Sequence, residues 1–134
     1  MRKVPGVMVL VALVASALLS GCNTLADARD AEGTGPSRIY EASPGTVWAA
    51  LPDIVRSVGL DYVGDNREEG YVLAQHAISA LSWGEDVAIF VQPAQRPGST
   101  RVEVDSKRAL ATNITATNWE LVILDALSSR FPSN

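Results

Sequence analysis

The sequence predicts an α+β domain, a two-layer sandwich in which one antiparallel sheet carries both helices on the same face. Apolar residues recur at helical spacing between Val47 and Val58, change to a period of two from Leu60 onward, and return to helical spacing after Asn118. Alternation along the strands implies one buried and one wet face, so both helices must cover the buried one. The predicted element order is β-α-β-β-β-β-α.

The first strand and helix are predicted from local signals at their ends. Residues 38–42 form a short strand, and Ser43 followed by Pro44 is the pattern of a helix N-cap with proline at the first helical position. Gly59 is the predicted end of this helix. Pro52 lies inside it and removes one backbone hydrogen bond, which costs about 3 kcal/mol unless packing compensates. We expect the helix to bend there or to consist of two short pieces.

Four strands and a closing helix follow. A polar turn separates strands at residues 60–62 and 71–78, and a loop with proline and glycine separates strands at 87–92 and 101–107. The last strand has the cleanest alternation, with valines inward and charged residues outward. Its outward residues are Arg101, Glu103, Asp105 and Lys107. A capping box at residues 117–120 opens the closing helix.

The first 22 residues have the layout of a bacterial export signal. Residues 2–3 are basic, residues 7–19 are apolar apart from one serine, and residues 19–22 read Leu-Ser-Gly-Cys. This pattern resembles the lipobox of bacterial lipoproteins, in which the cysteine receives a diacylglycerol and the chain is cut just before it. The resemblance implies that Cys22 is the lipidation site. Two alternatives are a soluble secreted protein whose cleavage site happens to precede a cysteine, and an uncleaved anchor.

The lipobox reading divides the chain into three parts. Residues 1–21 are the signal peptide, residues 22–37 are the lipidated cysteine and a flexible tether, and residues 38–134 are the α+β domain. Aromatic and β-branched residues are nearly absent from 23–37, so this stretch has little apolar surface to offset the entropy of ordering it. Fully extended, the tether reaches about 50 Å.

The net charge of the chain narrows the classes of molecule that can be its partner. The chain has 11 basic and 15 acidic residues, and cleavage before Cys22 removes two of the basic ones, which leaves a net charge of −6. Such a domain is repelled by phosphate backbones, so nucleic acid is not an expected partner. The membrane is reached through the N-terminal lipid. Asn23 stands where an aspartate retains enterobacterial lipoproteins in the inner membrane, so we expect the outer membrane, facing the periplasm, with the inner membrane as the alternative.

No group of residues in the sequence has the spacing of a catalytic or metal site. His76 is the only histidine, so neither a His/Cys cluster nor a triad in a nucleophile-elbow context is available. The acidic residues around the turn at 61–69 are expected to be solvated, as is usual for charges at turns. We expect no cofactor, no metal and no enzymatic activity. A strand histidine such as His76 is more often structural than a pH sensor or a ligand contact.

Tryptophan gives the candidate binding residue. Trp48 and Trp119 fall on the apolar side of helices and are expected in the core, whereas Trp83 falls in the irregular segment 79–84. A tryptophan at a loop tip is favoured at binding surfaces, although it can also cover the end of a core.

The predicted order of elements resembles the helix-grip or TBP-like arrangement of small envelope lipoproteins. Among these are the accessory lipoprotein of the outer-membrane β-barrel assembly machine and uncharacterised proteobacterial families. The resemblance implies a non-enzymatic envelope lipoprotein that binds a protein partner. The alternative is a periplasmic carrier or sensor of an apolar small molecule or lipid, held in a groove between helices and sheet. An enzyme is the third and weakest reading, because the sequence contains no catalytic constellation.

Overall fold

The computed structural model describes residues 25–77, 84–108 and 117–134. It contains three helices and five strands within these ranges. In chain order they are α1 (Leu25–Arg29), β1 (Ser37–Tyr40), α2 (Pro44–Ser57), β2 (Asp61–Asn66), β3 (Tyr71–His76), β4 (Glu85–Pro93), β5 (Thr100–Arg108) and α3 (Trp119–Ser128). From β1 onward this is the order that the sequence predicts.

All five strands form one antiparallel sheet in the order β1-β5-β4-β3-β2. The outer edge of β1 meets the last residues of the chain, because the Asn134 amide donates to the Ile39 carbonyl (3.1 Å) and Tyr40 forms a bridge with Ser133. At the opposite edge, β2 carries a register irregularity between Tyr62 and Gly64. The predicted α+β fold with a single antiparallel sheet is confirmed.

Helix α2 begins and ends where the sequence predicts. The Ser43 side chain accepts a hydrogen bond from the Thr46 amide, and Pro44 follows it. Val58 caps the other end and Gly59 has φ of +93°, a left-handed conformation that glycine adopts without strain. Pro52 does not divide the helix, which is continuous from Pro44 to Ser57.

The main core lies between the sheet and the two long helices. Val102 and Val104 of β5 are fully buried there, as the alternation predicts. Both predicted core tryptophans also belong to this cluster. Its larger members are Tyr40, Trp48, Leu51, Ile54, Val87, Ile89, Trp119, Ile123, Leu124 and Leu127. Since α2 and α3 contribute to one cluster on one face of the sheet, the two predicted helices do lie on the same side.

Helix α3 begins one residue later than the predicted capping box implies. Asn118, not Thr117, is the N-cap, and its side chain accepts from the Leu121 amide. The predicted box would direct Glu120 back to the cap. Instead, its carboxylate accepts hydrogen bonds from the backbone amide and hydroxyl of Ser106. Glu120 therefore joins α3 to β5.

The prediction of a flexible tether is wrong for the described residues before β1. Leu25–Arg29 is helical, and the chain from 25 to 36, here called the N-terminal arm, packs against the face of the sheet opposite α2 and α3. Ala28 is fully buried against Ala88 and Phe90, and Ala31 is also buried. Alanine side chains suffice here because the arm lies close to the sheet, where small residues fit.

The second face of the sheet is consequently not wholly wet, which corrects the prediction for two residues of β5. Glu103 and Asp105 do lie on the face opposite the valines, but they are only 1% and 4% exposed. The N-terminal arm covers them. The alternation of β5 assigned the correct face but could not reveal that a segment 70 residues earlier in the chain shields it.

Candidate functional site

Two of the sequence-predicted residues, Cys22 and Trp83, lie outside the described residues. His76 is described, at the end of β3, on the same face of the sheet as the buried Val72 and Ala74. Its predicted strand position is therefore confirmed. None of the described helices has the length and apolar content required to cross a membrane.

His76 belongs to a cluster at the end of the helix-covered face. Its ring lies 5.2 Å from the Trp119 ring, centroid to centroid, with the planes tilted by 40°. Across the strands it is paired with Glu85, whose buried carboxylate accepts a hydrogen bond from the Trp119 indole. A buried carboxylate requires such a donor, because leaving it unpaired is costly. The cluster thus joins β3, β4 and α3.

The acidic residues around the β2–β3 turn are not gathered into a site. Asp61, Asp65 and Glu69 are exposed, and Asp65 accepts from the Tyr62 hydroxyl. Burial, followed by this hydrogen bond, raises the pKa of Tyr62 to about 12. Within residues 25–77, 84–108 and 117–134, no group of three or more histidine, cysteine or acidic residues is placed to hold a metal ion.

Two neighbouring carboxyl groups on β5, at Glu103 and Asp105, lie beneath the N-terminal arm. The Gly33 and Gly35 amides both donate to Glu103 Oε1, and Arg101 pairs with Glu103 Oε2 at 3.1 Å. Burial by itself would raise the pKa of Glu103, but the hydrogen bonds to Asp105, to the two amides and to Arg101 together hold it below its usual value. Glu103 is therefore the ionised member of the pair.

Asp105 is the member that takes up a proton more readily. Burial, followed by the hydrogen bond and charge of Glu103, raises the pKa of Asp105 to about 6. The Thr34 hydroxyl donates to Asp105 Oδ1 at 2.8 Å, whereas Oδ2 is buried without a hydrogen-bond partner in the described part of the chain. Protonation of Asp105 near pH 6 relieves the repulsion between the two adjacent carboxylates beneath the arm.

Gly35 permits this close approach of arm and sheet. A Cβ atom at this position would lie 2.2 Å from the Val104 carbonyl oxygen and 2.5 Å from Asp105 Oδ1. Neither distance is compatible with a side chain, and the carbonyl belongs to the paired backbone of β5 and cannot move away. Glycine is therefore required here by the contact itself.

An open groove of about 630 Å³ lies on the second face, beside β1 and the β4–β5 loop. Ile39, which is 40% exposed, contributes an apolar side chain to it. Apolar atoms contribute most of the exposed lining, but only three of the eight described lining residues are apolar. The eight are Ile39, Pro93, Ala94, Gln95, Arg96, Ser99, Arg101 and Asn134. A second groove, between the arm and the start of β3, is lined by more polar residues, among them Arg29, Asp30, Glu32 and Glu69.

The positive charge at the apolar groove contrasts with the acidic balance of the chain. Arg96 is largely exposed and makes only a 3.5 Å contact with Glu41, and Arg101 is held by Glu103 from the floor of the sheet. A groove that combines apolar area with two guanidinium groups suits an apolar segment that also carries carboxylates.

Sequence reasoning missed this groove and the packing of the arm. Ile39 lies in the predicted short strand at residues 38–42, and nothing local in the sequence marks its exposure. For the arm, a signal was present: Ala28 and Ala31 lie three residues apart, the spacing of one helix face, and Gly33 and Gly35 follow. Low apolar content hid it, because burial here uses alanine and backbone rather than large side chains.

Comparison with protein-family models gives no match for this chain, and comparison with curated proteins gives none either.

Proposed function

We propose that this protein is a non-enzymatic lipoprotein of the bacterial envelope, anchored through Cys22 in the outer membrane, that binds a protein partner in the periplasm. The anchor rests on the export signal and the residues 19–22. The partner binding rests on one structural observation above all. The open apolar groove with two arginines lies at the end of the sheet opposite the end where the N-terminal arm begins.

The path of the arm supports this separation. Asp27 lies close enough to Asp86, at the start of β4, for its charge to act on that carboxyl, whereas Glu32 accepts a hydrogen bond from Gln92, near the end of β4. The arm therefore runs along β4 in the same direction as the strand. Pro93, the last residue of β4, lines the groove. With nine residues in β4, the groove lies about 25–30 Å from the anchored end.

The alternative function, a carrier of an apolar small molecule between helices and sheet, finds less support. Side chains at that interface are almost completely buried against each other, and neither of the two grooves described above opens there. A carrier would need room for its ligand in that layer.

Anchoring is tested by metabolic labelling with palmitate. Cys22→Ala should abolish the label and leave an uncleaved or soluble precursor, because no other cysteine is present. Membrane separation by density should place the labelled wild-type protein in the outer membrane. Label on the Cys22→Ala protein would contradict the lipoprotein assignment.

Partner binding is tested by a photocrosslinking amino acid introduced in living cells at Ile39 or, as a matched control, at Val63. The two side chains are 40% and 48% exposed, but Val63 lies on the opposite edge strand. We expect one discrete crosslinked product from position 39 and none of that size from position 63. Equal products from both positions would contradict a specific role for the groove.

Charge reversal tests the chemistry of the partner. Arg96→Glu should weaken formation of the position-39 product by about tenfold, because a like charge then faces the partner's carboxylates. Arg56→Glu is the control, since Arg56 is exposed on α2, on the other side of the sheet. If both reversals act equally, net charge rather than the groove is responsible.

Trp83 is a separate proposed contact, carried over from the sequence: in the chain it falls between β3 and β4, so it is proposed independently of the groove. Trp83→Ala should change the free energy of unfolding by no more than about 0.5 kcal/mol, as surface substitutions do. It should weaken partner binding by at least about 2 kcal/mol, the scale of an interface anchor. Destabilisation as large as that of Val104→Ala would identify Trp83 as a core residue instead.

A further inference from the structure

We infer that the docked N-terminal arm holds the anchored domain directly against the bilayer, with the end of the sheet where β3 ends and β4 begins facing the lipid surface. The inference rests on the proposed lipidation of Cys22. In this arrangement, one end of the sheet meets the lipid headgroups, and the groove has a fixed orientation relative to the membrane.

The link between the lipidated cysteine and the docked arm is short. Only residues 23 and 24 separate Cys22 from the first residue of α1. Three peptide units reach at most about 11 Å. A free tether over residues 22–37 would instead reach about 50 Å. Docking of the arm therefore shortens the distance between lipid and domain several-fold.

The arm is fixed to the domain by several contacts. This matters because a short link orients the domain only if the arm does not move relative to the domain. Ala28 is fully buried against β4, and Ala31 is buried beyond it. The Gly33 amide and the Thr34 hydroxyl are bonded to Glu103 and Asp105 of β5. These contacts attach the arm at several points along its length.

The arm runs along β4 from the start of the strand toward its end. It begins beside Asp86 and passes Gln92 before it enters β1, so Leu25 lies at the end of the sheet where β4 starts. The exposed Ala77, which follows β3, lies at this same end, whereas Gln95 lies in the groove at the other end. The anchored domain consequently presents the groove away from the lipid.

Site-specific fluorescence tests the orientation on the full lipidated chain. Ala77→Cys and Gln95→Cys each introduce a single reactive thiol, because Cys22 is occupied by lipid. Each labelled protein is purified from its membrane and placed in vesicles of phosphatidylethanolamine and phosphatidylglycerol, in which a fraction of the headgroups carries a quencher. We expect most of the fluorescence at position 77 to be lost and most of that at position 95 to remain.

Two variants test whether the link and the docked arm cause the difference. A flexible Gly/Ser insert of about 16 residues between Thr24 and Leu25 adds an r.m.s. length of about 20–24 Å while leaving the arm docked. Gly35→Val instead displaces the arm, because its Cβ would meet the Val104 carbonyl. Either variant should reduce the quenching at position 77 while palmitate labelling and vesicle binding persist.

The outcomes separate the orientation from the proposed function. Equal quenching at positions 77 and 95 in a palmitate-labelled, vesicle-bound protein would overturn the orientation and leave the lipoprotein assignment intact. Unchanged quenching at position 77 after the insertion would also overturn it. Absence of palmitate from the wild-type protein would remove the anchor, and with it both proposals, whereas the position-39 crosslink tests the groove independently.

Discussion

Replacing Asp105 by asparagine should remove a specific part of the pH dependence of stability. The pKa of Asp105 is raised by burial and by Glu103 to about 6, from a usual value of 3.8. A pKa that is higher in the folded state means that the folded protein binds the proton more tightly than the unfolded chain. The resulting stabilisation is fully present below about pH 4 and is lost as the pH rises through about 6.

The magnitude follows from the same two values. At about 1.4 kcal/mol per pH unit, ionising Asp105 in the folded protein costs on the order of 3 kcal/mol at neutral pH. Over the measurable interval from pH 5 to pH 7.5, the folded protein holds about one more proton than the unfolded chain across only about one pH unit, because Asp105 is mostly ionised above pH 6. The expected loss is therefore about 1.4 kcal/mol. Glu103 acts in the opposite sense, since its lowered pKa removes stability only as the pH falls below its usual range near 4.5.

Asp105→Asn preserves the shape of the side chain and an oxygen that can accept from the Thr34 hydroxyl, but it does not titrate. The assay is urea denaturation at a series of pH values, with the soluble chain that begins at residue 23. The difference in free energy of unfolding between variant and wild type should grow by about 1.4 kcal/mol in the variant's favour from pH 5 to pH 7.5. Titrating groups that do not interact with Asp105 cancel in this difference, and Glu103, whose pKa is lowered, is ionised throughout this pH range.

Asp53→Asn is the matched control, because it removes a carboxylate from the exposed surface of α2, on the other side of the sheet from the arm. A difference for Asp105→Asn that does not vary with pH would refute the reasoning.

Two further substitutions and one deletion test the packing of the core and of the N-terminal arm. Val104→Ala should cost about 1–3 kcal/mol in urea denaturation, because Val104 is fully buried under the helices, and a cost near zero would contradict its core position. Trp119→Phe should cost about 1–3 kcal/mol by depriving the buried Glu85 of its indole donor, and Glu85→Gln in the same background should recover part of that loss. Deletion of residues 25–35 should lower stability by at least about 2 kcal/mol, or roughly 8 °C in Tm, and an unchanged Tm would mean that the arm does not pack in solution.

The sheet and the two long helices could be predicted from the sequence, because they depend on signals between residues that are close together in the chain. The period of two in β5 placed Val102 and Val104 on the buried face, and Ser43 with Pro44 located the start of α2. Each of these signals lies within a few residues of its effect. The capping residue of α3 was misplaced by one position, because Thr117 and Asn118 can both cap and only the contact of Glu120 with Ser106 decides between them.

The arm and the groove could not be predicted in the same way, because both depend on residues far apart in the chain. Gly33 contacts Glu103 across 70 residues, and Ile39 and Arg96 meet only when β1 lies beside the β4–β5 loop. Composition suggested that residues 23–37 lack enough apolar surface to order. That argument overlooks backbone amides, which bind a buried carboxylate without any large side chain.

In the lipid-anchored protein that we propose, the contacts that fix the arm also set how far the groove extends from the membrane. Glu103 and Asp105 would be two adjacent carboxylates on an open sheet face without the arm, and the donors at Gly33, Thr34 and Gly35 make their burial possible. In the lipid-anchored protein that we propose, every change that weakens these bonds would lengthen the link to the lipid from two residues toward fourteen, or from about 11 Å toward about 50 Å. In that proposed protein, the stability of the docked arm therefore sets the reach of the groove, and docking requires glycine at position 35.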